Sequence, residues 1–309
     1  MPNKKILFRF GSKNQPITRF GEIDILSRAC YFRGIELGYK QGDIFFEWPL
    51  NIQYLLVCPQ NTILPIKFIN SNDINLSEYH RIINLTDSDI FYKDSSPLFN
   101  EKSVIERNHG AFLNYLNKYY MEYKKRPVYH IKMDKIKEKY ILVHTRKLEY
   151  STTRNSNINN YEFILKLLKE RYNDYEIYRC GERDIHEKKF NKLFDRYFNH
   201  FLDFNSFLKL MNNSSLFVGC SSGPIQYAYS FEKPIIEINI PKTINWSPIQ
   251  DRYVGMGNYF SKKFWKDGLN GKYGDTIDYY INKETYLKLF TGDKINKKKI
   301  LEFMDKWLM

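Results

Sequence analysis

Short apolar runs alternate with helical repeats between residues 141 and 240, and this pattern constrains the fold more than any other feature of the sequence. The apolar runs predict buried strands at 141–144, 175–178, 216–219 and 235–240. Between them, apolar side chains recur at helical spacing, as at Tyr161, Ile164, Leu165 and Leu168, and a further helix begins near Pro224. Strands that alternate with helices form a parallel sheet covered by helices, so we predict the α/β class.

The N-terminal half is less regular, and the length of 309 residues suits two domains. Its apolar runs and repeats predict strands at 6–10, 54–57 and 82–85, and helices at 23–31 and 111–123. A charged stretch at 124–139 predicts the linker, and residues 294–309 predict a helix that is basic at first and then apolar. We therefore expect an N-terminal domain over 1–135, a C-terminal domain over 136–280, and a final segment, 281–309, whose helix packs back on the N-terminal domain.

The formal net charge is +13, in a chain whose 43% hydrophobic and 27% charged residues are typical of a globular protein. Such a charge attracts anions, which include nucleic acid, an anionic membrane surface and a phosphorylated substrate. A basic nucleic-acid-binding protein is therefore an alternative of another class. The sequence carries no known nucleic-acid-binding motif, and its basic residues are spread rather than clustered, which favours a phosphorylated substrate and no nucleic-acid partner.

The four cysteines form no CxxC pair, which argues against a zinc site and is typical of reduced thiols in a cytosol. The N-terminus runs directly into a strand-like segment, so we expect no signal peptide. No apolar stretch approaches the roughly 18 residues that span a bilayer. We expect a cytoplasmic protein, with peripheral contact to the anionic inner membrane face left open.

A turn of small residues joins the strand at 216–219 to the following helix. Its residues Ser221, Ser222 and Gly223 precede Pro224. Unpaired N–H groups at a helix start carry partial positive charge and bind phosphate. The glycine permits a close approach of the ligand, and either serine can cap the helix or donate its hydroxyl to phosphate oxygens. The turn therefore predicts a phosphate site.

Basic and polar residues follow the other predicted strands at the same edge of the sheet, where ligands of open α/β sheets bind. His144 and Arg146 end the first strand of this half, Arg154 and Asn155 lie in the polar loop that follows, and Arg179 and Gly181 end the next strand. An arginine grips a diphosphate with two parallel hydrogen bonds. Their coincidence at one edge predicts an anion site.

Three motifs in this region resemble known families. The segment FVGCSSGPIQYAYSFEKPIIEIN resembles the Ser-Gly-Pro segment of GT-B glycosyltransferases such as the lipopolysaccharide heptosyltransferases, although Cys220 stands where they carry an aspartate. The segments VHTRKLEYSTTRNSNINNYEFILKLLKE and YRCGE resemble a group of bacterial polysaccharide glycosyltransferases, and the H-x-R element is similar to that of GDP-fucose-using transferases. The resemblance covers roughly residues 140–240.

The resemblance implies a GT-B-like fold, with two Rossmann-like domains and a cleft between them. It implies a metal-independent, inverting enzyme of hexosyl or fucosyl type that needs no cofactor, and that moves a sugar from a GDP-, UDP- or ADP-linked donor to a glycan, lipid-linked or other glycoconjugate acceptor in bacterial surface polysaccharide synthesis. It places the following residues near the donor: His144, Arg146, Arg154, Asn155, Arg179, Gly181, Ser221, Ser222 and Gly223.

The resemblance also implies that the N-terminal domain binds the acceptor and supplies the catalytic carboxylate after its first strand. Glu22 and Asp24 are the candidates for the base that an inverting transfer needs. Both also suit a plain electrostatic role at a helix N-terminus.

Asp87 and Asp89 support a different enzyme. A DxD after a strand holds Mn²⁺ or Mg²⁺ in GT-A transferases, and such hard metals prefer oxygen ligands. A metal-dependent GT-A transferase is therefore an alternative, as is a non-catalytic binder of sugar nucleotides.

Overall fold

The computed structural model divides into two compact units, the first formed by residues 1–133 and 201–209 and the second by the remainder. The structure describes residues 4–9, 20–48, 64–70, 73–85, 115–116, 119, 123, 129, 133–146, 158–181, 188–198, 204–220, 222–240, 253–257 and 297–309. No helix within these ranges is long and apolar enough to cross a membrane.

The described strands of the first unit form a parallel sheet in the order β3-β2-β1-β4. The elements are β1 (Ile6–Arg9), α1 (Phe20–Glu36), β2 (Ile44–Trp48), β3 (Lys67–Asn70), a short 3₁₀ helix (Leu76–Glu78) and β4 (Arg81–Asn84). The chain moves outward from β1 to β2 and β3 and then returns to the other side of β1. The order therefore reverses between β1 and β4, which makes this a topological switch point.

The described strands of the second unit form a parallel sheet in the order β10-β9-β8-β5-β6-β7. The elements from here to the end of the chain are β5 (Tyr140–Thr145), α2 (Ile158–Arg171), β6 (Glu176–Gly181), α3 (Lys188–Asn191), β7 (Arg196–Phe198), α4 (Phe204–Asn213), β8 (Leu216–Cys220), α5 (Gly223–Ser230), β9 (Ile235–Ile240), β10 (Tyr253–Gly257) and α6 (Lys297–Leu308). Residues 204–209 of α4 belong to the first unit. Here the order reverses between β5 and β8. The predicted α/β class with parallel sheets is confirmed.

The core of the second unit follows from the sequence pattern. Both β5 and β8 are buried along their whole length, as expected of central parallel strands covered on both faces. One stripe of α2, formed by Tyr161, Ile164, Leu165 and Leu168, packs into the same cluster as Ile141 and Val143. The Tyr161 hydroxyl also donates to the His144 carbonyl over 2.8 Å, which fixes the end of β5 against the helix.

The C-terminal helix α6 packs on the second unit. Ile300, Met304 and Leu308 belong to the core cluster of that unit. On the same helix, Asp305 accepts hydrogen bonds from Arg171 over 2.7 Å and from the Tyr172 hydroxyl. The sequence analysis expected this helix to pack on the N-terminal domain. It packs on the second unit instead, because its apolar face and its aspartate both have partners at the C-terminal end of α2.

Some predicted elements cannot be compared with the structure. The strand expected at 54–57 lies outside the described residues, as does most of the helix expected at 111–123. The helix expected at 23–31 is present and extends from Phe20 to Glu36. The chain first passes from the first unit to the second between Met133 and Asp134, within the charged stretch at 124–139, and residues 201–209 belong to the first unit again.

Candidate functional site at the carboxyl edge of the second sheet

His144 and Ser222 meet across the switch point of the second sheet. His144 lies near the end of β5 and is buried, and Ser222 lies directly before α5, which follows β8. The Ser222 Oγ lies 2.9 Å from the His144 Nδ1, within hydrogen-bond distance. Because crevices at switch points are where open α/β sheets bind ligands, this contact marks the candidate site.

Ser222 occupies the N-cap position of α5 but does not cap it. Its backbone is extended, with φ −156° and ψ 173°, and its side chain makes no capping hydrogen bond. The hydroxyl instead donates to the Cys220 carbonyl over 3.0 Å and contacts His144. The start of α5 therefore keeps its partial positive charge without a side-chain cap, as an anion site requires.

Gly181 has no room for a side chain. Its φ is +137°, and a Cβ there would lie 2.7 Å from the Thr145 carbonyl oxygen and 3.6 Å from Cδ2 of the His144 ring. The Tyr197 hydroxyl donates to its carbonyl over 2.7 Å, which holds the end of β6 in place. The glycine thus lets the ends of β5 and β6 lie close together beside His144.

We expect Gly181→Ala to lower the free energy of unfolding by at least about 2 kcal/mol, because it adds backbone strain and a clash with a carbonyl oxygen. The matched control is Gly38→Ala. Gly38 also has a positive φ, of +83°, but nothing lies within 4 Å of a Cβ there. It should cost about 1 kcal/mol, from the backbone alone. Urea unfolding measures both, and equal losses would show that the clash at Gly181 has no effect.

Arg179 is buried and held by protein groups. It is 3% exposed, its Nε donates to the Thr145 Oγ1 over 2.9 Å, and an Nη donates to the Asn191 Oδ1 over 2.7 Å. The guanidinium carbon lies 5.4 Å from the centre of the Tyr197 ring. These contacts fix the end of β5, and the structure shows no exposed face of Arg179 at the sheet edge.

The remaining predicted donor residues fall in two groups. Arg146 directly follows β5 and is 8% exposed, and Gly223 is the first residue of α5. The structure thus brings His144, Arg146, Gly181, Ser222 and Gly223 to one edge of the sheet. Arg154, Asn155 and Ser221 lie outside the described residues.

The two candidate bases differ in position. Asp24 is fully buried in the first unit, and its Oδ2 lies 3.3 Å from an Nη of Arg28, which is also buried. Burial and the nearby Asp24 charge raise the pKa of the Tyr129 hydroxyl well above its usual value. Asp24 therefore belongs to an interior polar cluster of the first unit. Glu22 lies in the first turn of α1, and its side chain is outside the described part of the chain.

The sequence analysis did not identify Glu47 as a candidate functional residue, although it is the one charged residue in the strand sequence IFFEW. It lies in β2 and is 3% exposed, and its Oε2 accepts from the Arg9 Nε over 3.0 Å. A lone carboxylate in an otherwise apolar strand was the signal that could have identified it.

Asp87 and Asp89 lie outside the described residues, and no group of three or more potential metal ligands occurs within the described ranges.

Comparison with known proteins identifies the fold. No protein-family model matches the sequence. No curated protein matches it either. Among solved structures, the E. coli ADP-heptose lipopolysaccharide heptosyltransferase II matches with a TM-score of 0.55 and 12% identity, over 98% of both chains. The family 9 glycosyltransferase of Veillonella parvula matches with a TM-score of 0.54 and 10% identity, over 99% of this chain and 97% of its own.

A third match is the dodecameric, iron-containing glycosyltransferase TibC of enterotoxigenic E. coli, with a TM-score of 0.53 and 12% identity, over 99% of this chain and 76% of its own. A second structure of TibC, the heptosyltransferase in complex with ADP-D-β-D-heptose, matches with a TM-score of 0.51. At these identities the likeness is one of fold. The chain has the GT-B fold of the heptosyltransferases, as the sequence predicted, and the GT-A alternative is wrong because that enzyme class has a different fold.

Proposed function

We propose that the protein is a glycosyltransferase that binds the diphosphate of a nucleotide-sugar at the carboxyl edge of the second sheet. The observation that carries the proposal is the contact between His144 and Ser222, which joins the two strands of the switch point and leaves the start of α5 without a side-chain cap. A site of this kind binds phosphate groups through backbone N–H groups. The fold, shared with sugar transferases over nearly the whole chain, supports the same conclusion.

The comparisons and the sequence motifs support specific candidates for the donor and the acceptor. TibC in its complex holds ADP-D-β-D-heptose, so ADP is the first nucleotide to test, with GDP and UDP next. The sugar is a heptose, or a hexose or fucose as the motifs imply. The acceptor is a glycan, lipid-linked or other glycoconjugate in bacterial surface polysaccharide synthesis. The described cysteines Cys30, Cys180 and Cys220 are buried thiols rather than disulfides, which suits the cytoplasm.

The proposed reaction is a metal-independent, inverting displacement. A carboxylate takes the proton of the acceptor hydroxyl as its oxygen attacks the anomeric carbon, and the bond from that carbon to the diphosphate oxygen breaks. Arg146 and the start of α5 stabilise the charge that develops on the leaving diphosphate. Asp24 is enclosed with Arg28, so the proposal assigns the base to Glu22.

Arg179 has a positioning role in this proposal. Its bond to Thr145 orients the residue between His144 and Arg146, and its bond to Asn191 fixes the guanidinium itself. It therefore acts on the donor through the end of β5 and makes no contact with the diphosphate.

A thermal-shift titration tests the donor site. A ligand at a hundred times its dissociation constant stabilises the folded state by about 2.7 kcal/mol. We expect ADP, GDP or UDP to stabilise the wild type equally with and without Mn²⁺, and Arg146→Ala to abolish this shift because it removes a diphosphate ligand. Arg196→Ala is the matched control, since Arg196 lies in β7 of the same sheet with a side chain 51% exposed.

Three results would contradict the proposal. Stabilisation that requires Mn²⁺ would exclude the metal-independent mechanism. An equal loss of the shift in the Arg146 and Arg196 variants would show a general charge effect rather than a site. A lack of response to every nucleotide would remove the nucleotide-sugar substrate itself.

A further inference from the structure

Three polar residues lie together at the carboxyl edge of the first sheet. Arg9 ends β1, Glu47 lies in β2, and Asn84 ends β4. Arg9 pairs with Asn84 in register, and the pairing of Phe8 with Phe46 places Glu47 beside Arg9. Since paired residues of parallel strands share a face, all three lie on the same face, at the switch point between β1 and β4.

The ion pair between Arg9 and Glu47 is asymmetric. The Glu47 side chain is 4% exposed, that of Arg9 is 26% exposed, and the contact joins Nε to Oε2 over 3.0 Å. A buried ion pair stabilises a fold no better than apolar residues of similar size, because desolvation offsets the attraction. Stability therefore does not explain why an apolar strand carries this carboxylate.

The pair leaves specific groups available. Within the described part of the chain, Arg9 and Glu47 have each other as their only polar side-chain partner. With Nε and Oε2 engaged, the Arg9 Nη groups remain as donors and the Glu47 Oε1 remains as an acceptor. Glu47 thus holds the guanidinium in one orientation, and the Asn84 amide adds a donor and an acceptor on the next strand.

This set of groups matches sugar hydroxyls better than phosphate. A phosphate dianion offers only acceptors and is repelled by the adjacent Glu47 carboxylate, whereas a hydroxyl both donates and accepts. Two neighbouring hydroxyls of a sugar ring can accept from Arg9 and donate to Glu47 at once. Resting on the proposed function, we propose that Arg9, Glu47 and Asn84 bind an uncharged sugar residue of the acceptor through adjacent hydroxyls.

Saturation-transfer NMR on the full chain tests this site with the methyl glycosides of glucose, galactose and mannose, and ³¹P line broadening tests it with inorganic phosphate as the anionic probe. The expected result is that at least one glycoside binds the wild type and phosphate does not bind at this site. Arg9→Gln and Glu47→Gln should each weaken glycoside binding by about tenfold or more, because each removes hydrogen bonds to a charged group.

The matched control is the ion pair of Lys5 and Glu78. Its Nζ and Oε2 are also 3.0 Å apart, but it lies near the amino end of β1. Lys5→Gln and Glu78→Gln should leave glycoside binding unchanged. If Arg9→Gln or Glu47→Gln does not fold, Asn84→Ala replaces it, because that change leaves the ion pair intact and should still weaken glycoside binding.

Two results would overturn the inference: binding of no glycoside to the wild type, or equal glycoside binding by the wild type and the folded variants. A phosphate signal that disappears in Arg9→Gln would assign the site to an anion instead. ADP, GDP and UDP are titrated into the same samples. If the wild type binds a nucleotide but no glycoside, only the acceptor site is rejected. If the wild type binds no nucleotide, the proposed function is rejected.

Discussion

Asp24→Ala is expected to lower the free energy of unfolding by about 3–5 kcal/mol, because it removes a buried carboxylate that lies beside the buried Arg28 guanidinium. Arg28 is 2% exposed and its Nη lies 3.3 Å from the Asp24 Oδ2. The change also affects the environment of Ser27, whose hydroxyl lies 3.2 Å from that of Tyr129. Urea unfolding followed by circular dichroism measures the loss.

A second variant separates the lost ion pair from lost packing. In Asp24→Leu with Arg28→Met, both charges are replaced by apolar side chains, and the double variant should recover most of the stability that Asp24→Ala loses. Glu78→Ala is the surface control in the same unit. It breaks an ion pair with a side chain 52% exposed and should cost at most about 1 kcal/mol. If the losses of Asp24→Leu and Arg28→Met, each measured alone, simply added in the double variant, the pair would not be coupled.

The role of Asp24 could not be predicted from the sequence because helix α1 is buried on more than one side. Ile23, Ile25 and Leu26 are buried together with Asp24 itself. A carboxylate early in a helix is ordinarily solvated and favoured by the helix dipole. The sequence analysis therefore interpreted Asp24 either as a candidate base or as a charge at the helix N-terminus, and both interpretations expect a solvated side chain. Its buried partner, Arg28, lies one turn further along the helix, where the sequence shows only an ordinary charged pair.

The edge that carries the proposed donor site could be predicted because parallel strands all end on the same side. The runs at 141–144 and 216–219 identify β5 and β8, and the residues that follow them necessarily meet at one edge. The partners within that edge could not be predicted. The contact between His144 and Ser222 depends on β5 and β8 being neighbours, which strand order in the sequence does not reveal.

The contacts of the Arg179 side chain could not be predicted from the sequence either. Its position at a strand end predicted a diphosphate ligand. In the sheet it pairs with Val143 and therefore shares the face of that core residue. Alternation of side chains along β6 thus directs Arg179 toward Asn191, which belongs to a short helix that the sequence analysis did not predict.

Glu22→Gln is expected to lower the transfer rate by about 10²–10⁴-fold with little change in nucleotide affinity, because it removes the proposed base without altering the donor edge. Glu22 lies in the first turn of α1, two residues before the enclosed Asp24. Asp24→Asn is the matched control at the neighbouring carboxylate. It should reduce stability, yet keep the rate per folded molecule close to that of the wild type. Turnover of ADP-heptose or another donor is measured beside thermal unfolding for both variants. A large rate loss in folded Asp24→Asn, with Glu22→Gln active, would reverse the assignment. Equal activity in both would show that a different group accepts the proton.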